Sequence, residues 1–175
     1  MPAPVAQISD ELIEACIVKG VAEVFGTMTR EKIDSLGRTP NPPLHSRPQG
    51  IEGAHVVASV GFLGDVDGII NTHFDDQLAL ELSAKMLGMT PAEVLENAML
   101  ADSMGELANM IVGVFKNTLG DVGFVCKLTL PTIIRGADFH VDHTVKSGRR
   151  YIFNFRCRGR AIVTDIILQQ ESPCH

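Results

Sequence analysis

Glu106 and Asn109 are the residues of this chain whose types and spacing point most directly to chemistry. They lie in DSMGELANMIVGVFKN, residues 102–117, which reads as an amphipathic helix. A helix advances about 100° per residue. Leu100, Met104, Leu107, Ile111 and Phe115 therefore gather into a core-facing stripe. Asp102, Glu106, Asn109, Gly113 and Lys116 fall on the opposite side, within an arc of roughly 80°. Glu106 and Asn109 are one turn apart and stand side by side. An amide offers both a donor and an acceptor, and so can orient a water. Gly105 and Gly113 flank the pair. Each glycine costs about 1 kcal/mol of helix stability relative to alanine, which points to close approach of something to this surface. A solvated polar face is the plain alternative, since every amphipathic helix has one. Asn argues mildly against it, being a poor helix former.

The elements that must position this stretch follow from the pattern. Residues 9–29 predict a first helix, capped by Ser9 or Asp10, with Leu12, Ile13, Cys16, Ile17, Val21, Val24, Phe25 and Met28 at helical spacing. A short strand is expected near Lys32–Leu36. Residues 37–53 hold four prolines and three glycines and predict a long loop. Residues 54–63 and 66–74 predict a hairpin turning at Gly64-Asp65. Asp75 caps a helix to about Leu87, which Gly88 ends. Thr90-Pro91-Ala92-Glu93 starts another helix, with Glu93 reaching back to the cap. The pattern then runs to about Leu119, with a break possible near Asn97; unbroken, it spans roughly 43 Å at 1.5 Å per residue. Strands are expected at Phe124–Leu130, Ala137–Val145, Arg150–Arg156 and Arg160–Leu168, with turns at Ser147-Gly148 and Arg158-Gly159. Residues 169–175 read as a frayed end. The whole, residues 1–175, reads as a single domain.

Composition removes several function classes. The formal net charge is −6, which argues against non-specific nucleic-acid binding. There is no Trp and one Tyr, so base-stacking surfaces are not expected. No apolar run is long enough to span a membrane, and MPAPVAQISDEL lacks the character of a signal peptide. Cys16, Cys126, Cys157 and Cys174 form no C-x-x-C pair; reduced thiols in a cytoplasmic protein are the simplest reading. Cys16, Cys126 and Cys157 are expected to pack as small hydrophobes. There is no Ser/His/Asp or Cys/His constellation.

Two other clusters invite a site and are read otherwise. Asp138, His140, Asp142 and His143 suggest a metal, but in a strand His140 and His143 point to opposite faces and do not converge. Arg149, Arg150, Arg156, Arg158 and Arg160 alternate on expected strands and read as a solvated face or as edge protection. There is also a weak internal repeat: VAEVF at 21–25 matches IVGVF at 111–115. Placing Val21 on Ile111 puts Cys16 on Glu106 and Lys19 on Asn109, so the first copy lacks the polar pair.

The run D-x-x-G-E-x-x-N-M-I-x-G, with Asp102, Glu106, Asn109 and the distant Pro131, resembles the signature of the CheC/CheX/FliY family of chemotaxis phosphatases. The gap from Asn109 to Pro131 is within a residue of the family's. One site rather than two, and no further C-terminal domain of the FliY type, make CheX the nearest likeness. The resemblance implies an α+β fold: an antiparallel sheet with helices packed on it, a pseudo-twofold repeat, and one long helix carrying the site. It implies hydrolysis of the aspartyl phosphate of a phosphorylated, CheY-like response regulator. Asn109 would position the attacking water, and Glu106 would pair with the regulator's lysine. Asp102 would cap or orient the helix or hydrogen-bond near the site, a solvated helix-start residue being the plain alternative; Gly113 would leave clearance for the partner, and Pro131 would end a strand beside the helix. It further implies no cofactor on this chain, Mg²⁺ on the regulator, and a homodimer formed through sheet edges. A non-catalytic module that binds a regulator or a flagellar-switch component is the alternative. A small-molecule sensor using the sheet is a third reading with no motif behind it.

Overall fold

The computed structural model describes residues 8–169. Helix α1 spans Asp10–Met28 and begins where the Ser9 side chain accepts from the Leu12 amide. Strand β1 (Asp34–Arg38) follows, then β2 (His55–Gly64) and β3 (Gly68–Asp75). Asp75 caps α2 (Asp76–Leu87), and Gly88, at φ 66°, closes it. Helix α3 (Pro91–Glu96) carries the complete capping box of Thr90 and Glu93. Helix α4 is Leu100–Asp121; then come β4 (Cys126–Leu128), β5 (Thr132–Gly136), β6 (Gly148–Cys157) and β7 (Arg160–Gln169).

Every strand pairing is antiparallel, in the order β1-β6-β7-β3-β2-β4, with β5 also on β2. Exchanging β1 with β4/β5, β6 with β2, and β7 with β3 reproduces that order reversed. The fold is thus a pseudo-twofold repeat whose seam runs between β3 and β7. Helices lie on one face of the sheet. Val56, Ala58, Val60 and Phe62 of β2 alternate toward them, as do Ile70 and Phe74 of β3 and Ile162 and Ile166 of β7.

The other face is also covered, by the connections 39–54 and 137–147. The Arg150 guanidinium donates to both carboxylate oxygens of Asp165 at 2.8 Å. It also donates to the carbonyls of Pro43 and Ser46 at 2.6 and 2.7 Å. From the second connection, Phe139 stacks on His55 with centroids 4.2 Å apart, and the His143 ring lies 3.1 Å from the Asn71 amide nitrogen.

Several expectations change. Residues 137–145 form no strand, and the strand expected over Phe124–Leu130 is the shorter β4; the next strand, β5, ends at Gly136, before residue 137. It pairs with the His55–Ser59 half of β2 and runs out of partner at His55. Asp138, at φ 57°, then turns the chain across the sheet. The long helical pattern takes the break allowed for near Asn97, at Asn97–Met99, where Ala98 adopts φ 53°, so α4 has 22 residues and is about 33 Å long. The first hairpin turns through residues 65–67 rather than two, and the Asp67 carboxylate accepts from the Gly64 amide at 2.8 Å. Gln169 is not frayed: its amide donates to the Asp67 carbonyl. The rest of the expected frayed end, with Cys174, lies outside the described residues. The remaining cysteines are free and buried, and burial pushes the Cys16 thiol up to about 11.

The repeat itself holds, in a register one residue away from the motif match. The buried α1 residues Ile13, Cys16, Ile17, Gly20, Val21 and Val24 coincide with buried Met104, Leu107, Ala108, Ile111, Val112 and Phe115 of α4. That register pairs Gly20 with Ile111. A Cβ on Gly20 would stand 2.9 Å from the Ile111 carbonyl oxygen, as expected where two helices cross at their own symmetry point. Ala15 therefore corresponds to Glu106 and Val18 to Asn109.

Candidate functional site

Helix α4 is held on three sides. Phe115 packs on Phe62 of the sheet with centroids 5.6 Å apart, α1 crosses it at Gly20, and the buried Ser103 hydroxyl bonds Ser83 of α2 at 2.7 Å. Asp102 and Glu106 are left exposed, with Asn109 and Gly113 half-buried, along the fourth side. The wheel predicted this division, and the structure keeps the four residues on one stripe.

Neither the Glu106 carboxylate nor the Asn109 amide has a hydrogen bond or ion pair among the described residues. That separates the pair from the chain's other polar groups, many of which are engaged. Arg135 is bidentate on Asp76, and Arg149 and Tyr151 meet at Asp10. A carboxylate and an amide with no internal use are free to serve an external one.

The two flanking glycines do different things. At Gly113 a Cβ would meet nothing within 4 Å, so the space above it is open. Gly105 is buried, and a Cβ there would stand 3.3 Å from Cγ of Pro131. Its close neighbour is therefore the chain itself: Pro131 sits between β4 and β5 and seats the sheet edge on the helix one residue before Glu106. Asp102 does not cap α4. Met99 holds that position without a side-chain hydrogen bond, and Asp102 is an acidic residue in the first turn, where the helix dipole favours it.

The arginine run is a solvated face at Arg156 and Arg158 and departs from that reading at Arg150. Arg150 is buried on Asp165, Arg160 pairs with Asp75, and Arg158 approaches Glu31 and Glu81. Burial works to raise the Asp165 pKa, but the hydrogen bonds from Arg150, with the His143 ring 3.8 Å away, outweigh it and hold the carboxyl below the usual range. The histidine argument for 138–143 also rested on a strand that does not form. His140 pairs with Asp142 near the surface, whereas the half-buried His143 turns inward toward Asn71. Among the described residues no three His, Cys, Asp or Glu side chains are grouped to hold a metal.

The geometry decides what this site can do. A cavity of about 280 Å³ lies between the sheet and the 142–145 connection, lined by Leu63, Ile69, His143 and Ile167, and holds none of the stripe residues. The acid–amide pair lies instead on the outward stripe of α4, with Glu106 exposed and Asn109 half-buried. No helix among the described residues is long and apolar enough to cross a membrane.

Comparison with known proteins agrees with this picture. The family model described as chemotaxis phosphatase CheX matches residues 56–156. A relative named CheY-P phosphatase CheX, from Thermotoga maritima, is 28% identical over 122 residues, covering 69% of this chain and 78% of the relative. The crystal structure of a chemotaxis protein CheX from Desulfovibrio desulfuricans superposes with TM-score 0.77 at 22% identity, over 90% of this chain and 99% of that one. A chain of the CheX–CheY–BeF₃–Mg²⁺ complex from Borrelia burgdorferi superposes with TM-score 0.68 at 24% identity, over 90% and 98%.

Proposed function

The chain belongs to the CheX family of chemotaxis phosphatases, and on that premise we propose that it hydrolyses the aspartyl phosphate of a response regulator of the CheY type. The observation that carries the reading is the Glu106/Asn109 pair, side by side on the outward stripe of α4 and without a partner among the described residues. The acyl phosphate is already energy-rich, and the regulator brings its own Mg²⁺ and lysine. A metaphosphate-like transition state then needs an in-line water and charge stabilisation. The Asn109 amide donates to and accepts from that water and holds it in line. The water oxygen bonds to phosphorus as the bond to the aspartyl oxygen breaks, leaving inorganic phosphate and a free carboxylate. Glu106 pairs with the regulator's lysine and sets the helix in register. The open space over Gly113 admits the partner's backbone, and Asp102 favours the helix start. The chain itself needs no cofactor and works in the cytoplasm. It self-associates through a sheet edge, β1 or β4/β5, to form a homodimer.

The test is phosphate release from a panel of the host's phosphorylated regulators, with wild type beside Asn109→Ala and Glu106→Ala. Acceleration on one regulator, reduced about a hundredfold in each variant, supports the reading. A regulator that is bound but never hydrolysed faster overturns it in favour of a non-catalytic binding module.

A further inference from the structure

We infer that Leu130 is an apolar docking residue for the regulator beside Glu106 and Asn109, an assignment that rests on the phosphatase reading. The edge of the sheet explains how it comes to be there. Phe62 pairs with Leu128 and Ser59 with Thr132, so residues 129–131 stand opposite only Val60 and Gly61. This is a β-bulge, one extra residue in the edge strand, and bulges re-aim side chains. Both neighbours of Leu130 are fixed. Thr129 exchanges two hydrogen bonds with Gly61, each 2.9 Å: its amide donates to the Gly61 carbonyl, and its hydroxyl oxygen accepts from the Gly61 amide. Pro131 is seated on Gly105. Leu130 is turned outward between them and is 89% exposed, more than any other large hydrophobic residue described.

Among the described residues nothing covers this side chain, and an exposed leucine on a sheet edge is open to contact with another chain. The site supplies a use. Leu130 adjoins Pro131, Pro131 touches Gly105, and Gly105 adjoins Glu106. Summing bonded and contact distances along that path keeps the Leu130 and Glu106 backbones within about 15 Å. A standard interface covers about 800 Å² per partner, a disc of roughly 16 Å radius. A receiver domain that brings its phosphoryl group onto Glu106 and Asn109 therefore has Leu130 within the radius of such an interface. Ground-state docking is where such a contact acts, because a leucine distant from the phosphorus contributes equally before and during the reaction.

The experiment measures the Kd for the regulator charged with beryllofluoride and Mg²⁺, the KM and kcat for phosphate release, and the molar mass in solution. It compares wild type with Leu130→Ser and Leu130→Met. The expected result is Kd and KM raised about tenfold in Leu130→Ser, kcat within twofold, near-wild-type values in Leu130→Met, and unchanged melting. Normal Kd and KM in Leu130→Ser overturn the inference and leave the phosphatase reading standing. A weakened Kd with no hydrolysis by wild type keeps the docking residue and removes the phosphatase. A Leu130→Ser protein that changes only its oligomeric state reassigns the residue to self-association and overturns the inference.

Discussion

Helices α1 and α4 are two versions of one element. They occupy equivalent places in the pseudo-twofold fold and bury equivalent faces, Ile13 to Val24 in one and Met104 to Phe115 in the other. Their outward stripes are where they part. Asp102, Glu106, Asn109 and Gly113 on α4 correspond to Glu11, Ala15, Val18 and Ala22 on α1. Gly105, seated against Pro131, corresponds to the half-buried Glu14. The fold constrains the buried set of both helices and leaves the stripe free. The difference between a site and a plain helix surface is therefore two polar side chains and the glycine that lets the sheet edge meet the helix.

The most severe test turns α4 into α1. The double substitution Glu106→Ala/Asn109→Val removes the polar pair and keeps the helix. Phosphate release should fall by about 10²–10³-fold, roughly 3–4 kcal/mol at the transition state. Unfolding free energy should move by less than about 0.5 kcal/mol, because neither side chain has an internal partner. Retained activity would mean that the two helices do not differ where the comparison says they do.

Acid probes the seam between the halves. His73 of β3 is buried against it, with Asp165, Arg150, His143 and His55 around it, and its Nε2 has no hydrogen-bond partner among the described residues. Burial lowers its pKa to about 4, although Asp165 pulls the other way. An unfolded histidine titrates near 6.5. Between those values the unfolded chain takes the proton first, so stability falls as pH falls. From pH 6.5 to 5 the loss is about 1.6 kcal/mol, approaching 1.36 kcal/mol per unit once the unfolded histidine is mostly protonated. The depressed Asp165 acts only below the ordinary carboxylate range, outside this window. Urea unfolding across the range, wild type against His73→Gln, should show the variant without this component.

A smaller effect is expected where the helices cross. Gly20→Ala places a methyl 2.9 Å from a backbone oxygen of α4 that cannot swing aside. Overpacking of that kind costs about 1–3 kcal/mol, and the better helix propensity of alanine returns about 1. A net loss of about 1 kcal/mol in urea unfolding is expected. No loss would mean that the helices separate freely, and that the shared register of the two copies carries no packing constraint.

What the sequence disclosed was whatever periodicity or local capping determines. The α4 stripe, the Ser9, Asp75 and Thr90 caps and the β6–β7 hairpin follow from residues close in sequence. The misreadings share one cause, which is partners brought from far away. Arg150 looks like an alternating surface arginine until Asp165 and the carbonyls of Pro43 and Ser46 are folded onto it. Strand β5 stops at Gly136 because β2 ends opposite, which no local propensity records. Gly105 was legible as a place of close approach, but not that Pro131 makes the approach. The bulge that exposes Leu130 exists only in the register of two strands far apart in the chain.

The last comparison runs the other way and expects no effect. In an Asn109→Ala background, Ala15→Glu/Val18→Asn gives α1 the polar pair at equivalent positions. If that pair were sufficient, phosphate release would recover. We expect none, because Glu14 stands where Gly105 stands in α4. The edge strand beside α1 therefore has no glycine to seat against, and the transplanted pair is not held to the tolerance that water positioning demands. About 1 Å of misplacement already costs on the order of a hundredfold. Both new side chains go to exposed or half-exposed positions, so the variant should fold and melt close to its background. Recovered hydrolysis would show that the acid–amide pair alone makes the site, and would reduce the Gly105–Pro131 contact to packing.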